Sequence, residues 1–233
     1  MITLYSYPQL FGLEDNNPYG LKVFAFLTMN GLSFEHRHVL DTSAAPRGQL
    51  PYLDDDGKII GDSDAIIAHL KQRYQLTLDD ALDADQQSTD LLLRRTLDDL
   101  YWVMSYSRWR DDRFWPIFRD ALLAQHPQLT ADALEKARRY NFERYHYQGI
   151  GRYEPEAAYS RGLADLRAVS RLLGNGPFIF GAEATSADAG LYGFIASIYF
   201  YDIDTLLKRY VLTQENLVNH CGAMRKRVKR AAD

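Results

Sequence analysis

Residues 49–70, QLPYLDDDGKIIGDSDAIIAHL, decide the fold of the first part of this chain. Asp55, Asp56 and Gly57 form a turn sequence, because Asp and Gly tolerate the positive φ angles that tight hairpins need. Short apolar segments on both sides of the turn predict the two strands of a β-hairpin. Gly61 then ends the second strand, and residues 62–64 start a helix. The stretch therefore predicts strand, turn, strand and helix in that order.

Pro51 and Ser63 indicate a binding site at one end of this hairpin. A proline at the first residue of a strand loses no ladder hydrogen bond. A cis peptide before it would turn the backbone of Leu50 so that it can pair with an extended peptide. Ser63 would lie at a helix N-terminus, where free N–H groups and the dipole favour a carboxylate. Receptors for a peptide backbone and for a carboxylate, a short distance apart, indicate a site for a small acidic peptide.

Several motifs of the chain resemble the glutathione S-transferases. In the first part these are Leu-Pro-Tyr-Leu at 50–53, Gly-Asp-Ser at 61–63 and Ala-Ile-Ile at 65–67. The branch of metaxin-like and failed-axon-connections-like proteins, with their bacterial relatives, is similar at residues 106–109, 148–152, 178–181 and 185–188. The resemblance covers nearly the whole chain. It implies the glutathione transferase fold, an α/β N-terminal thioredoxin-like domain plus an all-α C-terminal domain.

The hydrophobic pattern predicts the same two-part order. Residues 2–7 and 33–39 predict strands, and between them Asn17 and Pro18 begin a helix. From residue 85 the apolar period is helical, and further helices are predicted at 116–125, 131–147, 155–173, 186–200 and 214–227. An Asp-rich connection separates the two parts. We therefore expect a glutathione-binding domain at 1–76 and an all-helical domain at 85–233.

Composition limits the classes of partner and compartment. The 233 residues carry a net charge of −4 with a pI of about 5.9, which argues against a nucleic-acid partner because phosphate binding needs a basic face. The single Cys221 excludes internal disulfides and fits a reducing compartment. The N-terminus lacks signal-peptide features, and no apolar run reaches the ~20 residues that span a bilayer. We expect a cytoplasmic protein with no membrane partner.

Asn17 is the candidate catalytic residue. The resemblance aligns it with a position where related transferases carry a catalytic Ser or Cys before Pro, but this chain reads Asn-Pro-Tyr-Gly from residue 17. Asn17 can be only a helix cap, or it can also donate its amide NH₂ to the sulfur of glutathione. The roles are compatible, because a capping Asn uses its oxygen on the helix. Tyr5 and Tyr7 are rivals, since other transferase classes use a Tyr at the end of the first strand, although both can be plain strand residues.

The resemblance also assigns the glutathione site residue by residue. Gln49 and Leu50, with Pro51, should hold the glycyl and cysteinyl parts of the peptide. Asp62 should receive the γ-glutamyl amine, and Ser63 should receive its carboxylate. The alternative for Asp62 and Ser63 is a plain helix-capping pair.

Trp102, Tyr106 and Trp109 follow one another at i, i+4 and i+7 of a predicted helix, with Arg108 and Arg110 interleaved. Such an aromatic stripe is more often core than binding site. In glutathione transferases this helix faces the glutathione half. Trp102, Tyr106, Trp109 and Arg108 are therefore candidates for the second-substrate pocket, which takes a small-molecule electrophile.

Other patterns receive structural interpretations. Thr185 and Asp188 have the spacing of a capping box that starts an apolar helix. The basic residues 225–230 would offset the dipole of a terminal helix. His36 and His38 share one face of a strand without a Cys or a further His nearby, so no metal is expected. Residues 149–152 are a branch signature to which the sequence assigns no mechanism.

Two classes of function stay open. The first is a glutathione-dependent transferase that conjugates glutathione to an electrophile or reduces peroxides, with the thiolate as nucleophile. The second is a non-catalytic binding or assembly module of the same fold, which the metaxin resemblance and the missing Ser or Cys at Asn17 allow. A Cys-dependent thioltransferase is disfavoured, because Cys221 is far in sequence from the first helix. The resemblance also implies a homodimer.

Overall fold

A computed structural model describes residues 1–230 of the chain. The described part contains one sheet of four strands, β1 (Ile2–Ser6), β2 (Phe34–His38), β3 (Tyr52–Asp55) and β4 (Lys58–Gly61). Their order is β2-β1-β3-β4, with β1 parallel to β2 and with the other neighbours antiparallel. Two helices belong to this part, α1 (Pro18–Met29) and α2 (Ser63–Tyr74).

The elements after α2 are helical. They are α3 (Ala84–Trp109), α4 (Trp115–Gln125), α5 (Ala131–Gln148), α6 (Pro155–Leu173), α7 (Ser186–Tyr199), α8 (Leu206–Leu212) and α9 (Glu215–Arg230). The predicted α/β-plus-all-α fold is therefore confirmed. The pattern missed α8, because seven residues are too few to show a helical period. The predicted domain bounds, 1–76 and 85–233, stay a prediction, and residues 231–233 lie outside the described part.

The hairpin forms as its turn sequence predicts. Asp56 and Gly57 have positive φ angles of 52° and 89°, and the Gly57 N–H donates to Asp54 Oδ1 at 2.7 Å. The Leu50–Pro51 peptide is cis, as the sequence suggested. Tyr52 pairs with Gly61 on one side and with Tyr5 on the other. The residues before β3, the residues after β4 and the end of β1 therefore meet at one edge of the sheet.

The α/β part and the helical part pack together through α1 and α7. A Cβ atom at Gly193 of α7 would lie 2.4 Å from the Pro18 carbonyl oxygen and 3.0 Å from the Lys22 nitrogen, both in α1. Only glycine permits this approach of two backbones. The capping box predicted for Thr185 and Asp188 is present at the start of α7. The beginning of α1, where Asn17 lies, is thus held against the helical part.

Residues 148–152 form the turn that ends α5. Gly149 caps the helix with a φ of 110°, and Gln148 Oε1 accepts from the Ile150 N–H at 2.9 Å. A Cβ atom at Gly151 would lie 2.9 Å from the backbone of Tyr145. Both glycines are required by the backbone, so this motif has a structural explanation.

The basic residues of α9 make specific contacts, which the dipole interpretation did not include. Arg225 donates to the Gly12 carbonyl at 3.1 Å, and its guanidinium lies 4.0 Å from the centre of the Phe200 ring. Arg227 pairs with Glu183 at 3.3 Å. These arginines therefore tie the terminal helix to neighbouring segments of the fold.

Candidate functional site

A cavity of about 290 Å³ lies between the α/β part and the helical part. Its wall is built from the end of β1, the start of α1, the segment after β2 and the helices α3, α4 and α5. Tyr7, Asn17, Tyr101, Ser105, Arg108 and Arg144 are among its polar lining residues, and leucines, Phe118 and Trp109 are among its apolar ones. This cavity is the candidate second-substrate pocket.

Asn17 caps α1 and also lines the cavity. Its side-chain oxygen accepts from the Tyr19 N–H at 3.0 Å, and its own N–H donates to Asp15 Oδ1 at 2.6 Å. In the described part of the chain, the hydrogen bonds of the side chain use that oxygen, which leaves the NH₂ for the cavity. The capping role of Asn17 is therefore observed, and its catalytic role stays a prediction.

Asp15 is a buried acid beneath this site that the sequence analysis missed. Burial raises the pKa of its carboxyl to about 8, although hydrogen bonds from Ser6, Asn17 and Tyr7 lower it. A Cβ atom at Gly20 would lie 1.7 Å from Asp15 Oδ2, so the carboxyl occupies the space that this glycine leaves. At neutral pH the acid is mainly protonated, and it adds little negative charge beside Asn17. Nothing in the polar sequence around Asp15 predicts its burial.

Of the two rival tyrosines, Tyr7 lines the cavity. Burial raises the pKa of its phenol to about 12, so Tyr7 is protonated at neutral pH and can donate a hydrogen bond. Tyr5 instead stacks on Tyr52 of the neighbouring strand at 4.4 Å. Tyr7 therefore stays a rival to Asn17.

The residues assigned to glutathione lie at the sheet edge described above and are not part of the cavity wall. Leu50 is buried before β3, and Gln49 is exposed. Asp62 caps α2 by accepting from the N–H groups of Asp64 at 3.0 Å and Ala65 at 3.1 Å. Its other oxygen accepts from Arg47 at 3.2 Å. The capping alternative for Asp62 is thus observed, while its role toward a ligand stays a prediction.

Ser63 is the first residue of α2 and is buried. Its Oγ accepts from Lys22 Nζ at 3.3 Å, which leaves the hydroxyl proton for an acceptor such as a carboxylate. Lys22 also forms an ion pair with Asp64, and Arg94 bonds the second oxygen of Asp64 at 2.9 Å. Lys22 could not be predicted from the sequence, because its position inside an apolar helix gives no signal of a partner in α2.

The four candidates on α3 separate into two pairs. Arg108 and Trp109 line the cavity, whereas Trp102 and Tyr106 do not. Trp102 packs edge-on against Tyr145 of α5, with ring centres 6.4 Å apart, and Tyr106 is buried between Tyr145 and Tyr159.

The rotation of α3 about its axis explains why only two of the four candidates line the cavity. The α3 residues in the cavity wall are Tyr101, Met104, Ser105, Arg108 and Trp109, the first four at i, i+3, i+4 and i+7. The aromatic stripe thus lies mainly on the adjacent face, toward α5 and α6. The period of the stripe was correct, but sequence could not show which of two neighbouring faces meets the cavity.

Three further features bear on alternative functions. Cys221 is buried in α9, and burial raises the pKa of its thiol to about 12, which makes it unreactive. Within residues 1–230 no group of His, Cys, Asp and Glu side chains is placed to hold a metal ion. No helix in that range is long and apolar enough to cross a bilayer.

Comparison with known proteins places these features in context. The family described as glutathione S-transferase, N-terminal domain, matches residues 18–114, and the family described as glutathione S-transferase, C-terminal domain, matches residues 162–224. The chain is 34% identical to the isoprene-epoxide–glutathione S-transferase of Rhodococcus sp. (strain AD45), over 97% of this chain and 98% of that protein.

Two more distant similarities agree with this result. Failed axon connections of Drosophila melanogaster is 28% identical over 97% of this chain, which spans 57% of the length of that relative. The crystal structure of the beta-etherase LigF from Sphingobium sp. strain SYK-6 superposes with a TM-score of 0.67 at 16% identity, covering 98% of this chain and 99% of that one. The latter similarity concerns the fold alone.

Proposed function

This chain belongs to the glutathione S-transferase family, and we propose from this that it transfers glutathione to a small electrophile. The observation that carries the proposal is the cavity at the N-terminus of α1, with Asn17 in its wall. A helix N-terminus favours a thiolate. The similarity to a protein named for isoprene epoxide makes an epoxide the first electrophile to test.

The proposed reaction is a nucleophilic substitution by sulfur. The glutathione thiol loses its proton, and the thiolate forms a bond to one epoxide carbon. The bond from that carbon to oxygen breaks, its electron pair stays on the oxygen, and the oxygen takes up a proton from water, which has received the proton of the thiol. Asn17 donates a hydrogen bond that stabilises the thiolate, with Tyr7 as the rival donor. The strain of the epoxide ring thus favours ring opening, and the protein positions the two substrates and stabilises the thiolate.

Glutathione is the proposed co-substrate, held at the edge of the sheet next to α1. Leu50, before the cis Pro51, pairs with the cysteinyl backbone, and Gln49 contacts the glycyl end. Asp62 accepts from the γ-glutamyl amine, and the Ser63 hydroxyl donates to its carboxylate. The register of β3 and β4 supports this arrangement, because it brings residues 50–51 and 62–63 to the same edge.

The proposal is tested by retention of the pure protein on immobilised glutathione and by turnover of an epoxide with free glutathione. We expect specific elution by free glutathione and a conjugation rate well above the uncatalysed reaction. Retention without turnover of epoxides or a general aryl halide would identify a non-catalytic module. Turnover of a hydroperoxide but of no epoxide would assign the peroxide-reducing alternative.

Ser63→Ala is expected to weaken glutathione binding about 10-fold or more, because a hydrogen bond to a charged group is worth ~1.5–3 kcal/mol. Titration calorimetry measures the affinity. Ser186→Ala is the matched control, since Ser186 is also the first residue of a helix, α7, and bonds Asp79 instead. Equal affinity of parent and Ser63→Ala protein would remove Ser63 from the site.

We further propose a cytoplasmic homodimer whose protomers each fold as domains 1–76 and 85–233. Ile59 on the edge strand β4 and Leu92 on α3 are exposed apolar side chains that an interface would cover. Light scattering at micromolar concentration should give the mass of two chains. Monomer-sized particles alone would contradict the dimer.

A further inference from the structure

The cavity carries a positive charge that no acidic side chain of its wall offsets. Arg108 of α3 and Arg144 of α5 both line it, and its lining residues include no Asp or Glu. In residues 1–230 the hydrogen bonds of the two guanidiniums go to a backbone carbonyl, an amide side chain and the Tyr101 hydroxyl, not to carboxylates. The chain as a whole has a net charge of −4. The positive charge is thus a local property of the cavity.

Arg108 is the deeper of the two cations, with 8% of its surface exposed. One Nη donates to the Ser197 carbonyl at 2.5 Å, and the guanidinium lies 4.1 Å from the centre of the Tyr201 ring. Burial lowers the pKa of Arg108, but an arginine side chain still keeps its charge. A carbonyl and an aromatic face offset only part of the cost of burying a charge. An anion in the cavity would offset more of it.

Arg144 of α5 is the second cation among the lining residues of the cavity. Its Nη1 donates to Asn141 Oδ1 at 3.0 Å, and it lies 5.2 Å from the ring centre of Trp102. These contacts fix the side chain while leaving further N–H groups for a ligand. The buried acid nearest to Asn17, Asp15, does not neutralise the cavity, because burial raises its pKa to about 8.

The rest of the cavity is suited to a small hydrocarbon body. Met104, Phe118, Leu122, Leu129 and Leu134 form much of the wall. A volume of about 290 Å³ is near the lower end of ligand pockets, roughly 300–1,000 Å³. The occupant therefore has one ring or a short branched chain.

We propose that the second substrate is a small electrophile that carries a carboxylate, bound by Arg108 and Arg144, with its apolar part against the leucines. This inference rests on the proposed transfer reaction and names the class of electrophile. The guanidinium fork matches the two oxygens of a carboxylate. The carboxylate takes no part in bond formation and orients the epoxide toward the N-terminus of α1.

The test uses a matched pair of substrates, 4-(oxiran-2-yl)benzoate and 4-(oxiran-2-yl)benzamide, which have nearly the same shape and differ in charge. We expect the parent protein to show a kcat/KM at least ~10-fold higher for the benzoate, as a charged hydrogen bond implies. Arg144→Gln, at a half-buried position, should remove this preference, because it should lower kcat/KM for the benzoate at least ~10-fold more than kcat/KM for the benzamide.

Two control variants separate charge from general damage. Arg144→Lys keeps a cation and should keep part of the preference. Arg110→Gln removes a cation next to Arg108 in sequence that does not line the cavity, and it should keep the preference of the parent. Equal use of the two epoxides by the parent, or an equal loss for both in Arg144→Gln, would overturn the proposal.

Binding of the unreactive analogues 4-ethylbenzoate and 4-ethylbenzamide, measured by calorimetry, separates this inference from the reaction itself. If neither epoxide reacts but the acid binds ~10-fold tighter than the amide, the transfer function is wrong and the anion site stands. Equal binding of acid and amide would overturn the site. The measurement is repeated with saturating glutathione, and competition would show that the arginines hold a carboxylate of glutathione instead, which also overturns the proposal.

Discussion

Asp188→Ala is expected to lower the free energy of unfolding by about 3–5 kcal/mol, the usual cost of removing one partner from a buried polar pair. The Asp188 side chain is fully buried and accepts from the N–H groups of Ile179 at 2.9 Å and Thr185 at 2.8 Å. It also bonds the Thr185 hydroxyl and His220 Nε2, both at 3.0 Å. Alanine would leave these groups buried without a partner.

Urea unfolding measures this loss, and a fall of about 6–20 °C in Tm should accompany it in a chain of this size. Asp188→Asn keeps the volume and part of the hydrogen bonding, so its loss should be smaller. Asp204→Ala is the control for an exposed pair, because Asp204 bonds Arg209 at 2.7 Å on the surface and its removal should hardly change the midpoint. For Asp188→Ala, a free energy of unfolding within about 1 kcal/mol of that of the parent would show that the hydrogen bonds of Asp188 do not hold the start of α7.

Asn17→Asp should give a stable protein whose glutathione transfer near pH 7 is about 10–100-fold slower. Aspartate is as good a helix cap as asparagine, so α1 should keep its start. It replaces the NH₂ donor with a negative charge, and a like charge raises the pKa of the glutathione thiol by ~1–2 units, each unit costing tenfold in thiolate. Activity with a general electrophile and the unfolding curve are measured together.

Other variants of Asn17 separate its capping role from its catalytic role. Asn17→Ala removes both roles, and its loss of activity should shrink as pH rises toward ~8.5, where the free thiol ionises unaided. Asn17→Ser should keep both roles in part. A folded, fully active Asn17→Asp protein would limit Asn17 to capping, and loss of activity in Tyr7→Phe would then assign the thiolate to Tyr7.

The elements with local causes could be predicted from the sequence. The turn at Asp56 and Gly57, the cap at Asn17 and the capping box of Thr185 and Asp188 each need only residues within a few positions of one another. Periodic segments of ten or more residues placed the long helices within a few residues of their observed ends. The seven-residue α8 was missed, because a helical period is recognised only over a window of about 11–18 residues.

Contacts between residues that are far apart in the chain could not be predicted from the sequence. His220 reaches Asp188 over 32 positions, and Lys22 reaches Ser63 over 41. Neither pairing has a sequence signal, because the side chains are brought together only when α1 packs on α2 and α7 packs on α9. Asp15 likewise reads as a loop residue and becomes buried only because Gly20 leaves room for it.

The sequence by itself determined the family, the order of the elements and the position of the helix start at Asn17, since these depend on local patterns and motifs. Only the tertiary structure decided which face of α3 meets the cavity, so that Arg108 lines it and Tyr106 does not. The rotation of a helix about its axis is fixed by how the side chains of α5 and α6 pack against it. For the same reason the pairing of Arg108 with Arg144 in one cavity, 36 positions apart in the chain, follows from packing and not from sequence.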